Sequence, residues 1–341
     1  MTNPGDGRAQ GTPDEGPRWH SRLHETLASG AFVVTAEVVP PRGASLNGIK
    51  RIATHLQDWI DAANITDGQG AVARMSSWAG SLGLLQAGVE PVMQFSCRDR
   101  NRIALQADLL GAHAVGIPNV LCLTGDHPRF GDHPDAKPVF DMDSIQLLWT
   151  ARTLRDEKHL LTGNKLSSSP RWFIGAVENP SAAPQRFRAE RLGKKIAAGA
   201  QFIQTQFVFD VPIVERWMQQ VRDLGLDQRC GIIAGVGPIR SPRALEVLRS
   251  LPGVFIPDEV VERVQSMPEE RQEQDAIDLC SETIQRLHEI PGINGVHIIA
   301  SGWDDFIPEV LTRAGIGNRA ERATAAESRA KSLSGGRNSA D

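Results

Sequence analysis

Short apolar segments alternate with amphipathic helical segments along almost the whole chain, and this alternation most constrains the fold. Eight segments have the length and near-continuous apolar character of buried strands: 32–40, 62–66, 91–97, 119–125, 172–178, 202–209, 231–236 and 295–301. The intervals between them show helical periodicity, as in RIALQADLLGAHAVG and VPIVERWMQQVRDLG. Such alternation is typical of a parallel sheet with helical crossovers.

The number of strands favours a closed barrel over an open sheet. Eight strand–helix units predict a single-domain α/β fold, the (βα)8 TIM barrel. An open doubly wound sheet stays the alternative, although no GxGxxG motif follows the first strand. We expect the barrel to span residues 19–317. The polar ends, 1–18 and 318–341, are expected to be disordered because they offer too little apolar surface to offset ordering entropy.

Charge and cysteine content narrow the class of protein. The net charge of −4 over 341 residues does not suggest nucleic-acid binding. The four cysteines contain no CxxC pair, which predicts no metal site and indicates reduced thiols in a cytoplasmic protein. No apolar run approaches the roughly 20 residues of a membrane helix. The first residues also lack the features of a signal peptide, so we expect neither membrane insertion nor secretion.

Two carboxylates lie where strands of such a barrel end, and loops after the strands converge on one mouth. Glu37 lies inside VVTAEVVPP, where an acid is costly unless it has a partner or faces a wet cavity. It is either a strand-end acid paired with an arginine or a general acid with a raised pKa. Asp126 follows Gly125 directly, and is either a turn or cap residue or a second carboxylate of a site.

Three further groups could contact a ligand. Gln206, in FIQTQFVFD, needs hydrogen-bond partners, and satisfaction within the core is as good an interpretation as ligand contact. Lys195, on the preceding helix, either belongs to a solvated face or reaches a cofactor phosphate. In CRDRNR, Arg98, Arg100 and Arg102 are solvated charges by default. At a barrel mouth, one of them could bind an anionic ligand.

Seven motifs in one order resemble the methylenetetrahydrofolate reductases, especially the branch fused to homocysteine methyltransferases. They are AEVVPP with Glu37, NITDGQGAVARMS, CRDRNR, LTGD with Asp126, GAVENP, KKIAAGAQFIQTQF and GVHIIASG. The resemblance covers roughly residues 30–316. Each motif alone is weak evidence for the family, but seven motifs in the same order are specific evidence. This favours the functional interpretation of Glu37, Asp126 and Gln206.

The resemblance implies a barrel that binds a flavin, usually FAD, which NAD(P)H reduces. The reduced flavin would convert 5,10-methylenetetrahydrofolate to 5-methyltetrahydrofolate, or the reverse, in one-carbon metabolism and methionine biosynthesis. By resemblance Glu37 is the acid that protonates N10, and Asp126 lies near the pterin and the flavin. Gln206 contacts folate and nicotinamide in turn, and Phe207 lies beside it in the substrate site.

The resemblance also implies a set of cofactor contacts: Thr66, Gln94, Leu123, Thr124, Gly125, Asp126 and Lys195. The chain departs from the stand-alone bacterial pattern on this side, because Gln94 replaces a histidine and Thr124 an arginine, and Glu178 adds a negative charge. The alternative is therefore a folate-binding partner of a methyltransferase or demethylase system with weak or no flavin-dependent activity. A homo-oligomer or a methyltransferase partner, and the choice between NADH and NADPH, stay open.

Overall fold

Eight parallel strands close into a barrel in sequence order, with β8 paired to β1. The computed structural model describes residues 20–300 and 302–335. The strands are β1 Val33–Val38, β2 Ala62–Ile65, β3 Pro91–Ser96, β4 Asn119–Leu123, β5 Phe173–Glu178, β6 Phe202–Phe207, β7 Gly231–Val236 and β8 Gly295–Ile298. The predicted TIM barrel is confirmed, and each predicted strand overlaps the observed one.

Helices surround the barrel and cover its outer face. They are α1 Arg22–Ala28, α2 Asn47–Leu56, α3 Ser77–Gln86, α4 Arg102–Ala114, α5 Ser144–Arg152, α6 Arg188–Ala198, α7 Val211–Asp223, α8 Pro242–Ser250, α9 Asp258–Gln265, α10 Gln272–His288, α11 Ile307–Arg313 and α12 Arg319–Gly335. Side chains on a strand alternate between its two faces. Outward residues such as Val34 and Ile174 therefore pack against the helices in the main core.

Helix α1 closes the end of the barrel where the strands begin. Leu23 is fully buried there, in one cluster with residues at the inward starts of the strands such as Val33 and Phe202. Glu90 accepts hydrogen bonds from the backbone N–H groups of Arg22 and Leu23, at 2.6 and 3.0 Å. With this end sealed, the opposite end is left as the mouth of the barrel.

The expected disorder of residues 318–341 is wrong for residues 319–335, which form α12. Asn318 and Glu321 make a reciprocal capping box, with each side chain bonded to the other residue's backbone N–H. Arg322 then donates to Asp61 over 2.7 Å, and both side chains are buried. This largely polar helix is thus anchored to the barrel by a buried ion pair, and Ala326 on the same helix is also buried. The expectations for residues 1–18 and 336–341 lie outside the described residues.

In the part of the chain that the structure describes, no helix is both long and apolar enough to span a bilayer. The same residues contain no group of three or more histidine, cysteine or acidic side chains that could hold a metal ion.

We predict that Arg322→Met destabilises the protein by about 3 kcal/mol, because it leaves the buried Asp61 carboxylate without its cation and with only the Val34 N–H as a hydrogen-bond donor among the described residues. Urea unfolding at neutral pH measures the loss. Arg263→Met is the matched control, since it removes an ion pair with Glu282 that is 40% and 53% exposed. That pair is worth at most about 1 kcal/mol. Equal losses in the two variants would mean that Asp61–Arg322 does not anchor α12.

Candidate active site

A buried polar network fills the barrel interior beneath the mouth. The Thr35 hydroxyl lies 2.9 Å from His297 Nδ1, and Asn64 and Gln204 exchange two amide hydrogen bonds of 2.6 and 3.0 Å. Gln204 also donates to Thr35 over 3.2 Å, which joins the two pairs. Burial lowers the pKa of His297 to about 3, so its imidazole is neutral. This network was not identified from the sequence alone. The available signal was a polar residue within each of four otherwise apolar strands.

Glu37 lies two residues beyond Thr35 on the same inward face of β1, which places its carboxyl at the mouth. Burial raises the pKa of Glu37 to about 7, and a hydrogen bond from Gln69 opposes that rise. The Gln69 Nε2 to Glu37 Oε1 distance is 3.0 Å. Among the described residues no arginine or lysine pairs with Glu37, so it is not the acid of a strand-end ion pair.

Asp126 reaches across the mouth from the loop after β4. Its Oδ2 accepts a hydrogen bond of 3.0 Å from the backbone N–H of Gly70, on the loop after β2. The following short helical turn is capped by His127 instead, so Asp126 is not a cap. Gly125 has φ +92°, and a Cβ there would collide with the Ser96 side chain. The glycine therefore allows the close approach that brings Asp126 to the mouth.

A bulge in β6 sets the position of Gln206. The pairing register of β6 with β7 shifts between Gln204 and Phe207, and Thr205 bridges the irregularity by accepting from Gly235 N–H. Gln206 Oε1 accepts from the N–H of Phe207 at 3.0 Å. Within residues 20–300 and 302–335 its amide nitrogen has no hydrogen-bond partner. The partly exposed Gln206 can therefore donate to a ligand at the mouth.

Lys195 forms a buried ion pair at the ends of β5 and β6. It is 4% exposed, its ammonium lies 2.7 Å from Glu178 Oε2, and it also donates to the carbonyl of Val177. Burial lowers the pKa of Lys195, while Glu178 acts in the opposite direction. Arg188 lies 3.7 Å from the same carboxylate. A phosphate at this point would meet a lysine whose ammonium is already bonded to Glu178 and to the carbonyl of Val177.

The other expected cofactor contacts differ in burial and in whether their polar atoms already have hydrogen-bond partners. Thr66 is buried and its hydroxyl has no partner in the described part of the chain, so it could accept or donate to a bound group. Gln94 is buried on β3, and Leu123 is partly exposed at the end of β4. The Thr124 hydroxyl accepts from Ser144 N–H at 3.1 Å. The set does not fit a tightly held flavin dinucleotide, because its one cation, Lys195, is paired with Glu178.

The arginines of CRDRNR are engaged with acidic side chains. Arg98 pairs with Asp99, and Arg102 with Asp141. Arg100 contacts both Asp67 and Asp108. Arg98 and Arg100 line a cleft of about 640 Å³ beside the loop after β2. These pairs stabilise the loops around the mouth and leave no guanidinium of the three without a carboxylate partner.

A second cleft, of about 540 Å³, lies where β7 and β8 end. Its wall is formed by helix α8, which contributes Leu248 and Arg243, and by Leu251 directly after the helix. Arg240 lies at the same edge, with its guanidinium 4.2 Å from the centre of the Trp303 ring. The cleft combines apolar surface with two cations, and sequence reasoning did not single it out.

We predict that Glu37→Gln changes how stability depends on pH. With a folded pKa of about 7 against an ordinary 4.5, the folded wild type binds a proton that the unfolded chain has lost. Its stability therefore falls as pH rises between those values. The variant lacks this fall, so it should gain on the order of 1 kcal/mol relative to wild type from about pH 5 to about pH 8.5. Thermal unfolding across that range measures it.

Glu282→Gln is the control, because it should change the stability at neutral pH in the opposite direction. A hydrogen bond with Arg263 lowers the pKa of Glu282, so its carboxylate stabilises the fold at neutral pH and this contribution fades in acid. That variant should be the less stable protein at neutral pH. Parallel stability curves for wild type and Glu37→Gln would contradict the raised pKa of Glu37.

Comparison with known proteins identifies the family. The sequence model described as "Methylenetetrahydrofolate reductase" matches residues 22–315. The "Probable methylenetetrahydrofolate reductase (NADPH)" of Caenorhabditis elegans is 24% identical over 321 residues, covering 87% of this chain and 44% of that protein. The "5,10-methylenetetrahydrofolate reductase" of Pectobacterium carotovorum is 25% identical over 177 residues, covering 51% of this chain and 52% of that protein.

A solved structure shares the fold at low sequence identity. It is a Clostridium thermocellum protein described as binding two copies of 5-methyl-5,6,7,8-tetrahydrofolic acid, with a TM-score of 0.61 and 15% identity over 86% of this chain and 97% of that one. This chain spans about half or less of the length of the two curated relatives above. The family match nevertheless covers most of the barrel, and the chain belongs to the methylenetetrahydrofolate reductase family.

Proposed function

We propose that this protein reduces 5,10-methylenetetrahydrofolate to 5-methyltetrahydrofolate, with NAD(P)H as the source of hydride. One observation carries the proposal: an acid with a pKa of about 7, Glu37, lies at the barrel mouth above a neutral polar network. Asp126 and Gln206 come to the same mouth from the ends of β4 and β6. Family membership and the folate ligand described for the Clostridium thermocellum protein support a folate substrate.

The reaction needs one proton and one hydride. The bond between the bridging methylene carbon and N10 breaks, N10 takes the proton, and the carbon takes the hydride to become the methyl group on N5. NAD(P)H is oxidised to NAD(P)⁺. Glu37 supplies the proton, because a carboxyl with a pKa near the working pH is still protonated in a large fraction of molecules yet can release its proton.

Asp126 and Gln206 orient the substrate in this proposal. A carboxylate at the mouth can accept hydrogen bonds from the ring N–H and amino groups of a pterin. The free amide nitrogen of Gln206 donates to an acceptor on the folate or on the nicotinamide. Gly70 N–H holds the Asp126 carboxylate from the other side, which fixes the distance between the bound ring and Glu37.

The cleft along α8 suits the remaining part of a folate. A p-aminobenzoyl-glutamate tail is aromatic at one end and anionic at the other. Leu248 and Leu251 offer apolar contacts, and Arg240 and Arg243 offer cations for the carboxylates. The cleft begins beside Ala300, just beyond β8, so a folate could reach from the mouth into it.

The route of the hydride divides this proposal into two candidates. The family resemblance implies FAD, which would supply the hydride chemistry between NAD(P)H and the folate if it were bound. The Lys195–Glu178 ion pair favours the second candidate, in which flavin binds weakly or not at all and NAD(P)H transfers hydride directly. A visible absorption spectrum of the purified protein, before and after adding NADH, decides between them. A flavin band that bleaches supports the first candidate, and a colourless protein that still reduces folate supports direct transfer.

We predict that Glu37→Gln lowers kcat/KM for methylenetetrahydrofolate about 100-fold or more, because an amide cannot donate the proton. Chromatographic measurement of 5-methyltetrahydrofolate formed with NADH checks it. The control is binding of 5-methyltetrahydrofolate, whose Kd should stay within about threefold of wild type if the site remains folded. A variant that turns over at the wild-type rate would remove Glu37 from the reaction.

We also predict that Arg243→Ala raises KM for the substrate about tenfold with little change in kcat, because it removes an ion pair with the tail and touches no reacting atom. Arg249→Ala is the matched control. It lies on the same helix, is exposed, and pairs only at 3.9 Å with Glu246. Equal KM values for the two variants would place the folate tail elsewhere.

A further inference from the structure

One short turn contacts both carboxylates of the candidate active site. The turn is a single 3-10 turn, Gln69–Ala71, in the loop after β2. Gln69 Nε2 donates to Glu37 Oε1 over 3.0 Å, and the backbone N–H of the next residue, Gly70, donates to Asp126 Oδ2 over the same distance. Two adjacent residues thus connect the end of β1 with the loop after β4.

The turn is held in place by its own backbone and by its neighbours. Gly68 and Gly70 have φ of +61° and +66° and flank Gln69, and such values are accessible to glycine at little cost. Arg98 Nη1 donates to the carbonyl of Gly68 over 3.0 Å. A Cβ on Gly131 would collide with the carbonyl of Ala71, which shows how closely the loop after β4 packs on the turn. The direction of the Gln69 side chain is therefore set by a constrained backbone.

This contact selects one oxygen of Glu37. Oε1 accepts the Gln69 N–H, and among the described residues Oε2 has no hydrogen-bond partner. In a neutral carboxyl group the carbonyl oxygen is the stronger acceptor, so a donor on Oε1 favours the proton on Oε2. After the proton leaves, the same N–H stabilises the carboxylate that remains.

We propose that Gln69 is a positioning residue for Glu37: its amide N–H bonds to Oε1 and leaves the acid proton on Oε2 for the substrate. The N–H of the adjoining Gly70 holds the Asp126 carboxylate at a fixed position relative to Glu37. The role in turnover rests on the proposed reductase function. The role in orienting the Glu37 carboxyl rests on the contact alone.

Within residues 20–300 and 302–335, Gln69 makes the side-chain hydrogen bond to the Glu37 carboxyl. Asn64 is its register partner on β2. His297, on β8, is neutral and bonded to Thr35. Asp126 and Arg98 lie on the far side of the turn and are joined to it through Gly70 and Gly68. Burial and the Gln69 hydrogen bond are what shift the pKa of Glu37, so a change at residue 69 acts on Glu37 directly.

Two substitutions that should shift the pKa of Glu37 in opposite directions test the proposal through the pH dependence of kcat/KM. Gln69→Leu removes the donor, so the pKa of Glu37 should rise and the alkaline loss of activity should move up by about one pH unit, with kcat about tenfold lower. Gln69→Lys places an ammonium beside the carboxyl, so the loss of activity should move to lower pH.

Asp132→Ala is the matched control for loosening the loop. Asp132 accepts from Ala73 N–H over 3.0 Å and so anchors the same loop without touching either carboxylate. In this variant the alkaline loss of kcat/KM should occur at the same pH as in the wild type, even if KM changes. The proposal is overturned if both Gln69 variants lose activity at the same alkaline pH as the wild type, or if Asp132→Ala shifts that pH as far as they do.

A second readout does not depend on turnover. Carbon-13 NMR of labelled glutamate carboxyls, with Glu37→Gln to assign the signal, follows the titration of Glu37 in the wild type and in both Gln69 variants. Shifts of opposite sign in the two variants support the contact even if the protein reduces no folate, in which case only the reductase proposal fails. Identical titrations in all three proteins would overturn the role of Gln69.

Discussion

Partial burial of the Glu37 carboxyl at the barrel mouth is the constraint on which the proposed chemistry depends. An acid at the mouth of an open barrel would ordinarily be ionised near neutral pH, and here burial raises its pKa to about 7. The barrel achieves this without a neighbouring cation. Below Glu37, Thr35, Asn64, Gln204 and His297 satisfy one another as neutral groups. The interior therefore supplies polar contacts while adding no positive charge that would ionise the acid.

The architecture could be predicted from the sequence because each strand and helix of the barrel has its own local pattern of apolar residues. Buried parallel strands require apolar runs, and crossover helices require a 3.6-residue period, so both can be read from neighbouring residues. The convergence of Glu37, Asp126 and Gln206 also followed from the strand order, since every strand of such a barrel ends at the same mouth. The roles of these residues remain proposals that the family resemblance suggested and the geometry supports.

The parts that sequence reasoning missed depend on contacts between distant residues. Thr35 and His297 are 262 residues apart, and Arg322 and Asp61 are 261 apart. No local pattern indicates that these side chains meet. Helix α12 looked like a disordered tail because its apolar content is low, and its order comes from the buried ion pair. Lys195 looked free to reach a phosphate, but Glu178, 17 residues away, lies within hydrogen-bond distance.

The proposed turnover requires a protonated Glu37. The most direct test is the rate of 5-methyltetrahydrofolate formation by the wild-type protein between about pH 5 and about pH 9, with saturating NADH and a pH-corrected substrate concentration. We expect the rate to fall as pH rises through about 7, following the pKa of Glu37. A rate that stays level or rises across that range would contradict it, because the proton would then come from another source.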